Sequence, residues 1–423
     1  MKKPSLSFIL LLLTFNLFSQ NLDKDFASIE DKVIQWRRHF HQNPELSNRE
    51  FNTAKTIAKH LKNLGIETKE NVAKTGVVGI LKGNQPGKVV ALRADIDALP
   101  VVERNNLPFK STVKSNYLGK DVGVMHACGH DTHTAILMGV AEILSKNKNL
   151  IKGTVKFIFQ PAEEGAPEGE EGGAELMVKE GVLKNPDVDA IFGLHISSGF
   201  DVGTISYKPG GIMAASQSFK IKVKGKQSHG SRPWTGIDPI MISAKIIDAL
   251  QTIISREVNL TNEGAVITVG KIDSGVRSNI IPESAEMIGT IRTLDYGMQK
   301  QINDRMKEMV PAIAKSYRAE ATIEIEKGYP ITFNNIELTK QVLPTLHNVA
   351  GKENVKLIKA ITGAEDFSFF QKEVPGFYFF LGGKTIGNEN PYPHHTPDFI
   401  IDESGMLLGV KTMTQLALDF LNN

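Results

Sequence analysis

The stretch MHACGHDTHTAILMGVAEILSKNKNLIKGTVKFIFQPAEE, residues 125–164, contains one loop–helix–strand unit with reactive side chains at both of its ends. The apolar spacing over Thr132–Ser145 predicts a helix, and the apolar run Thr154–Phe159 predicts a strand. Cysteine and histidine residues lie in the loop before the helix, and two adjacent glutamates follow the strand. This stretch therefore predicts an α/β fold with its chemistry at the ends of the elements.

Strand-like and helix-like segments alternate on both sides of this stretch. Residues 24–64 have a helical pattern that a turn at Asn43-Pro44 interrupts, and residues 402–421 are predicted as a closing helix. The other predicted strands are Val77–Leu81 and Lys88–Ala94, expected to form a neighbouring pair, then Ala190–Leu194 and Phe377–Leu381. This order predicts a mixed, mostly parallel sheet that helices cover.

The pattern changes within residues 212–327. The segments there follow the order β-α-β-β-α-β, which is typical of a ferredoxin-like α+β domain. The first pattern returns from residue 328 onward. We therefore predict that residues 212–327 are inserted into a larger α/β domain formed by residues 21–211 and 328–423.

Residues 1–20 have the pattern of an export signal. Lys2 and Lys3 precede the apolar run Phe8–Leu13, and the segment ends in small or polar residues near Ser19. The apolar run is shorter than the about 20 residues that a membrane-spanning helix needs. We therefore expect a secreted or periplasmic protein with no membrane attachment after signal removal. The alternative is a buried N-terminal helix.

The composition excludes several classes of function. Hydrophobic residues make up 41% of the chain and charged residues 23%, as in ordinary soluble globular proteins. Lysine and arginine exceed aspartate and glutamate by 49 − 47 = 2, which is too small a net charge to attract nucleic acid or an anionic membrane. Cys128 is the only cysteine, so the core must stabilise the fold without an internal disulfide.

Side chains that bind metals occur just after the predicted strands. Asp95 and Asp97 follow one strand, and Glu163 and Glu164 follow another. In open α/β sheets, ligands bind beyond the carboxyl ends of the strands, so we expect these side chains to meet at one edge. The candidates at this edge are Asp95, Asp97, Cys128, His130, Glu163, Glu164, His195 and His395.

The candidate ligands favour a transition metal. A set of thiolate, imidazole and carboxylate groups suits zinc, manganese, cobalt or nickel better than magnesium or calcium. The predicted ligands are Cys128, His130, His195, His395 and one of the adjacent glutamates, Glu163 or Glu164. These are too many for one zinc ion and fit two ions with a shared ligand, for which the Cys128 thiolate is suited. Of the adjacent glutamates, one would bind metal while the other faces the water as a general base.

Two other hypotheses use the same residues. In the first, Cys128 is the nucleophile of a hydrolase and a histidine, His130 or His195, is its base, but such an enzyme has no need of paired glutamates. In the second, the protein binds metal or amino-acid conjugates without turnover, and the spare carboxylate of Glu163 argues against it. The histidines that the sequence leaves open between ligand and loop residue are His126, His133 and His394.

Several short segments occur in a characteristic order between residues 30 and 420. They are ALRADIDALP (91–100), MHACGHDTH (125–133), FQPAEEG (159–165), GLH (193–195), GKQSHGSRPW (225–234), GAEDF (363–367) and HTP (395–397). Together they resemble the aminoacylase and carboxypeptidase family of metallohydrolases. The resemblance is greatest to its amidohydrolase branch, which includes hippurate hydrolase, N-acyl-amino-acid amidohydrolase and the auxin-conjugate hydrolases.

The resemblance implies two co-catalytic divalent metal ions and assigns the pair of glutamates. Glu163 matches the family's general base, Glu164 matches a metal ligand, and Asp97 matches a residue that orients the site from behind the ligands. In the wider family an aspartate bridges the metals where this chain has Cys128. The amidohydrolase branch uses the cysteine as the bridge and takes the missing ligand from the residue that matches His130.

The resemblance also implies that the inserted segment is a lid through which the protein forms a homodimer. His229 matches a histidine that stabilises the tetrahedral intermediate in the partner's active site. Asn279 and Arg292 match segments near the carboxylate of the substrate. The implied reaction is hydrolysis of the amide bond of N-acyl amino acids. A metallo-dipeptidase or carboxypeptidase acting on small peptides is the alternative, and the acyl group is not identified.

Overall fold

The computed structural model describes the backbone of residues 6–423 and the side chains of residues 22–423. Residues 1–5 of the predicted export signal lie outside the described part, and only the helical backbone is described for the rest of it. Within the described residues, no helix has the length and apolar character needed to cross a membrane.

The elements alternate much as the sequence predicts. The helices are α1 Leu6–Gln42, α2 Phe51–Asn63, α3 His130–Lys146, α4 Gly173–Lys179, α5 Pro239–Thr252, α6 Tyr296–Ser316, α7 Ile336–Ala350, α8 Ser368–Glu373 and α9 Met406–Asn422. The strands are β1 Glu67–Val72, β2 Gly76–Lys82, β3 Gln85–Asp95, β4 Lys114–Tyr117, β5 Lys120–Gly123, β6 Lys152–Gln160, β7 Ala190–Asp201, β8 Ile205–Tyr207, β9 Gly210–Met213, β10 Ala215–Lys224, β11 Ser228–His229, β12 Ala265–Ser274, β13 Ile280–Ile281, β14 Ser284–Thr293, β15 Glu320–Ile325, β16 Thr332–Asn334, β17 Val355–Leu357 and β18 Gly376–Lys384.

The chain divides into two compact units. The second unit consists of Gly210–Phe333 and Lys359–Ser368, and the first contains the other described residues. Residues 359–368 were predicted within the larger domain, but they pair with the start of the second unit. The backbone N–H of Ile361 donates to the carbonyl of Ile212, and that of Ala214 donates to Gly363.

The first unit contains a mixed eight-stranded sheet in the order β1-β2-β6-β3-β7-β18-β8-β17. Its central strands β6, β3, β7 and β18 are parallel neighbours. β3 is buried from Val89 to Asp95, as expected for a strand that is covered on both faces. The predicted α/β class with a mostly parallel sheet is therefore confirmed.

The predicted pairing of β2 with β3 is wrong, because β6 lies between them and pairs with both. Two glycines allow this arrangement. A Cβ atom on Gly83 would lie 2.0 Å from the carbonyl oxygen of Ile151, and Gly153 has a φ of +104°. The turn after β2 therefore passes close to the start of β6, which an alternating apolar pattern does not reveal.

Helix α3 is the central helix of the first unit. Its residues are buried from His130 to Leu144, because it packs against α1, α9 and the sheet. Gly139 permits the close approach of α1, since a Cβ atom there would meet Cγ2 of Val33 at 2.8 Å. This burial on all sides fixes the N-terminus of α3, where His130 begins the helix.

The second unit has a four-stranded sheet in the order β12-β14-β10-β15, and all of its neighbours are antiparallel. In chain order the elements are β10, α5, β12, β14, α6 and β15, which is the predicted β-α-β-β-α-β arrangement. Phe219, Ile246 and Met306 lie in its buried core. The prediction of a ferredoxin-like inserted unit is confirmed.

A buried ion pair fixes α1 to the start of α3. Nε of Arg37 and Nδ1 of His41 lie 2.9 Å and 2.8 Å from Oδ2 of Asp131. Burial alone would raise the pKa of Asp131, but Arg37 and His41 hold it well below its ordinary value. The loop that carries the candidate ligands ends at this point, so the ion pair also fixes that loop.

We predict that Arg37→Met lowers the free energy of unfolding by about 3–5 kcal/mol, because it removes the guanidinium partner of the buried Asp131 carboxylate. The neighbouring Arg38 has a side chain that is 48% exposed and is paired with Glu403. Arg38→Met is the matched control and should cost about 1 kcal/mol or less. Denaturant unfolding of both variants measures the difference, and equal losses would contradict this account of the pair.

Candidate active site

The reactive side chains of the first unit lie at one edge of its sheet. Asp95 ends β3 and pairs with Gln160 at the end of β6. Glu163 and Glu164 follow β6 in a turn at which Ala162 has a φ of +52°. His195 lies within β7, which continues beyond the predicted end of that strand to Asp201. The parallel register of these strands therefore brings distant parts of the sequence together.

The thiol of Cys128 is at the centre of the cluster. Its Sγ lies 3.4 Å from Nε2 of His195 and 3.3 Å from Nε2 of His395. Nε2 of His395 lies 3.1 Å from Oε1 of Glu164. One donor atom each from Cys128, His130 and Glu164 lie within 4.8 Å of one another. The structure thus brings all the predicted metal ligands into one group.

His130 presents one ring nitrogen to this group. Its Nδ1 lies 2.9 Å from the backbone carbonyl and 3.1 Å from Oδ1 of Asp97, so Nδ1–H is the donor. The buried Nε2 has no hydrogen-bond partner among the described residues. It lies 3.8 Å from Oε2 of Glu163 and 3.9 Å from Oε1 of Glu164. With Nδ1–H held by Asp97, loss of the proton from Nε2 would leave a lone pair there that is suited to a metal ion.

Asp97 connects two of the predicted ligands. While Oδ1 accepts from His130, Oδ2 accepts from the hydroxyl of Ser47 at 2.7 Å and from the backbone N–H of Glu164 at 3.1 Å. Asp97 therefore contacts His130 and the backbone of Glu164, two of the predicted ligands.

His133 and His394 use both of their ring nitrogens for support. His133 donates from Nδ1 to Oδ1 of Asp95 at 2.5 Å and accepts the backbone N–H of Ile196 at Nε2. His394 donates from Nδ1 to the carbonyl of Cys128 and accepts the N–H of Ser198. Although both rings are close enough to the cluster to hold a metal, these hydrogen bonds occupy their nitrogens and assign them a positioning role.

His126 lies directly before the ligand loop and is 1% exposed. Neither of its ring nitrogens has a hydrogen-bond partner among the described residues. Burial lowers its pKa to about 4, so the ring is neutral. It therefore adds no charge to the cluster.

The electrostatics of the cluster oppose a free thiolate. Burial raises the pKa of the Cys128 thiol well above its ordinary value, and the carboxylates of Glu164 and Glu163 raise it further. A cysteine nucleophile requires the opposite shift. Burial alone would lower the pKa of His130, but the carboxylates of Asp95, Asp97 and Glu164 raise it to about 10. Both shifts reflect an excess of negative charge, and divalent cations would relieve it.

A segment that the sequence reasoning missed supports the cluster from behind. Besides Ser47, it contains Glu50, which is 0% exposed. Oε1 of Glu50 accepts from the backbone N–H of Ala162 at 2.9 Å, and Oε2 accepts from the hydroxyl of Thr75 at 2.5 Å. Burial and the nearby Asp97 raise the pKa of Glu50 to about 8. Its contacts fix the turn that carries Glu163, and no motif marks it.

The site residues predicted within the inserted segment lie in the second unit. His229 is exposed, and its Nδ1 accepts hydrogen bonds from the backbone and hydroxyl of Ser231. Asn279 lies beside it, because the N–H of Gly230 donates to the carbonyl of Asn279 at 2.8 Å. Arg292 lies on β14, where burial lowers the pKa of its guanidinium.

Comparison with known proteins assigns the family. The sequence model of peptidase family M20/M25/M40 matches residues 91–419. The chain therefore belongs to this family. The resemblance found in the sequence is confirmed, and this M20 protein is a hydrolase that acts on amide or peptide bonds.

Individual relatives of this M20 hydrolase carry different names. It is 45% identical over 405 residues to thermostable carboxypeptidase 2 of Saccharolobus solfataricus, covering 95% of this chain and 99% of the relative. It is 37% identical to N-acetyl-L-cysteine deacetylase of Bacillus subtilis, covering 90% and 86%. The crystal structure of the Bacillus subtilis YXEP protein, described as a dinuclear metal binding peptidase, superposes with a TM-score of 0.78 at 34% identity over 94% and 99% of the chains.

We predict that Asp97→Asn weakens zinc binding by roughly 10- to 100-fold, because the amide cannot accept from His130, Ser47 and the Glu164 backbone together. Competition with a chromophoric chelator measures the affinity. Ser47→Ala removes one hydrogen bond to the same carboxylate and should cause a smaller loss. Unchanged zinc affinity in Asp97→Asn would show that Asp97 does not hold these residues in place.

Proposed function

We propose that this M20 enzyme is an exported amidohydrolase that releases the amino acid from N-acyl amino acids. The observation that carries the proposal is the cluster around Cys128, with a second carboxylate, that of Glu163, beside it. The residues proposed to hold two divalent transition-metal ions are Cys128, His130, Glu164, His195 and His395. Zinc, manganese, cobalt and nickel all suit this set.

The residues fit such ions on structural grounds. Nε2 of His130 is buried without a hydrogen-bond partner among the described residues, and the Cys128 thiol lies within 3.4 Å of ring nitrogens on two sides. When bound, the ions would polarise the amide carbonyl and increase the acidity of a water molecule at the site. A thiolate between two cations would be stabilised against the burial that raises its pKa.

Glu163 is proposed as the general base. Its side chain is buried, and Oε2 lies 3.8 Å from Nε2 of His130, beside the ligands. It would take the proton of the attacking water and deliver that proton to the nitrogen of the leaving amino acid. Fixing the turn of Glu163 through Glu50 would keep its carboxylate in one place during both transfers.

His229 is proposed to complete the site of a partner chain in a homodimer. The side chain is exposed, and hydrogen bonds from Ser231 to Nδ1 place the proton of the neutral ring on Nε2. An Nε2–H donor is suited to an oxyanion, and loss of one such donor in other hydrolases costs roughly 10²–10³ in rate. Asn279 and Arg292 are proposed to bind the carboxylate of the substrate.

Peptide hydrolysis is the second candidate function, and the 45% identity to a protein named thermostable carboxypeptidase favours it. The two activities share their chemistry, since both cleave an amide whose leaving group is an amino acid with a free carboxylate. The relative named N-acetyl-L-cysteine deacetylase supports the N-acyl substrate. Export rests on the signal pattern in residues 1–20.

The adjacent glutamates give the direct test. We expect Glu163→Gln to keep its metal while kcat falls at least about 10²-fold, as expected for loss of a general base. Glu164→Gln should lose metal instead. Both are measured on chelated protein refilled with single metals, with N-acyl amino acids as substrates. Retention of metal by Glu164→Gln and its loss from Glu163→Gln would reverse the two roles, and full activity of metal-free wild type would refute the metal mechanism.

Subunit mixing tests the role of His229. Glu163→Gln and His229→Ala proteins should each be inactive or severely impaired. After subunits exchange, a mixed dimer would contain one site with both residues intact, so part of the activity should return. As a control, two differently tagged Glu163→Gln proteins are mixed. Their subunits should exchange, but no activity should return, because every site lacks Glu163. Proven exchange with no recovered activity would mean that His229 does not act across an interface.

A further inference from the structure

A cavity of about 170 Å³ opens beside Glu164 in the first unit. Apolar residues form much of its wall, and Glu164 borders it, so a group seated there would lie next to the proposed metal site. Its apolar wall includes Leu46, Leu99, Pro100, Tyr117 and Leu118, and Arg49 also lines it.

Leu118 in the wall of the cavity has a backbone conformation that leucine rarely adopts. Leu118 and Gly119 join β4 to β5 in a two-residue turn, and both have positive φ, +51° and +76°. Such turns prefer asparagine or glycine, because a leucine side chain is strained in this conformation. Leu118 is also 66% exposed, so it contributes little to the core. A strained, exposed leucine at the wall of a cavity indicates a role in binding.

The cation that lines the cavity, Arg49, is already paired. Nη2 of Arg49 lies 2.6 Å from Oε1 of Glu170, and Nη1 donates to Oε2 of the same carboxylate at 3.2 Å. Nζ of Lys74 lies 2.6 Å from that second oxygen. Because Glu170 occupies the guanidinium, the cavity does not offer a free cation to the carboxylate of an amino acid. It suits an uncharged part of the substrate.

We propose that this cavity binds the acyl group of the substrate and that Tyr117 and Leu118 determine which acyl groups are accepted. The assignment rests on the proposed N-acyl amino acid function. An apolar cavity of about 150 Å³ in another protein holds benzene, so the volume of about 170 Å³ here is sufficient for one aromatic ring or a branched aliphatic chain. The preferred substrates are therefore amino acids with an aromatic or branched acyl group, such as N-benzoyl amino acids, rather than N-acetyl amino acids.

Leu118→Asn separates the role of this residue in binding from its role in folding. Asparagine is a preferred residue in this turn, so the melting temperature should stay the same or rise slightly. The ratio of kcat/KM for an N-benzoyl amino acid to that for the N-acetyl derivative of the same amino acid should fall about tenfold, the low end for hydrophobic pockets. Tyr117→Ala should lower the same ratio.

Val102→Asn is the matched control. Val102 is 65% exposed and is not one of the residues that line the cavity in the described part of the chain, so its ratio should equal that of wild type. An unchanged ratio in Leu118→Asn and Tyr117→Ala, with hydrolysis of both substrates intact, would overturn the acyl-site assignment alone. If metal-loaded wild type hydrolysed neither substrate, the proposed function would fail, and the assignment with it.

Discussion

The concentration of buried negative charge around Cys128 is the constraint on which the rest of this structure depends. Asp95, Asp97 and Glu163 are 0%, 1% and 6% exposed, and Glu164 lies beside them. Burying several carboxylates together is unfavourable unless cations and hydrogen-bond donors compensate their charge. Arg93 offsets part of this charge through a 2.6 Å contact with Asp95. The remainder raises the pKa values of the Cys128 thiol and of His130, and metal cations are the natural way to balance it.

Strand pairing and buried hydrogen bonds hold the charged side chains of this cluster in position. The parallel strands β3 and β6 end at the same edge of the sheet, which sets the distance between the aspartates and the glutamates. Asp97 then orients His130 and the Glu164 backbone, while Glu50 fixes the turn at Ala162. Because these supports are buried and already paired, the ligand geometry is set before a metal or substrate arrives.

Much of the site could be predicted because strand ends are visible in a sequence. Apolar runs followed by Asp95 and Asp97, or by Glu163 and Glu164, predicted one sheet edge, and the structure brings these groups together. The order of the strands within the sheet was harder to predict from the sequence. The insertion of β6 between β2 and β3 depends on long-range pairing and on the close backbone contact at Gly83, to which local apolar patterns are insensitive.

The supporting residues could not be assigned from the sequence for a different reason. Whether His133 and His394 bind metal depends on which backbone groups meet their ring nitrogens, and this is decided only when β7 and the Cys128 loop are in place. Ser47 and Glu50 lie far from the ligand motifs in sequence, in a segment that resembles an ordinary connection between two helices. Leu118 was overlooked because a leucine in a hairpin turn is notable only once its φ is known.

The central proposal is that the Cys128 thiol helps to hold two metal ions at this edge. X-ray absorption spectroscopy of the zinc-loaded protein tests it directly. We expect a zinc–sulfur distance of about 2.3 Å and a zinc–zinc distance of about 3.5–4 Å, with loss of the sulfur signal in Cys128→Ser. Zinc bound only through nitrogen and oxygen ligands, or without a second zinc nearby, would contradict it.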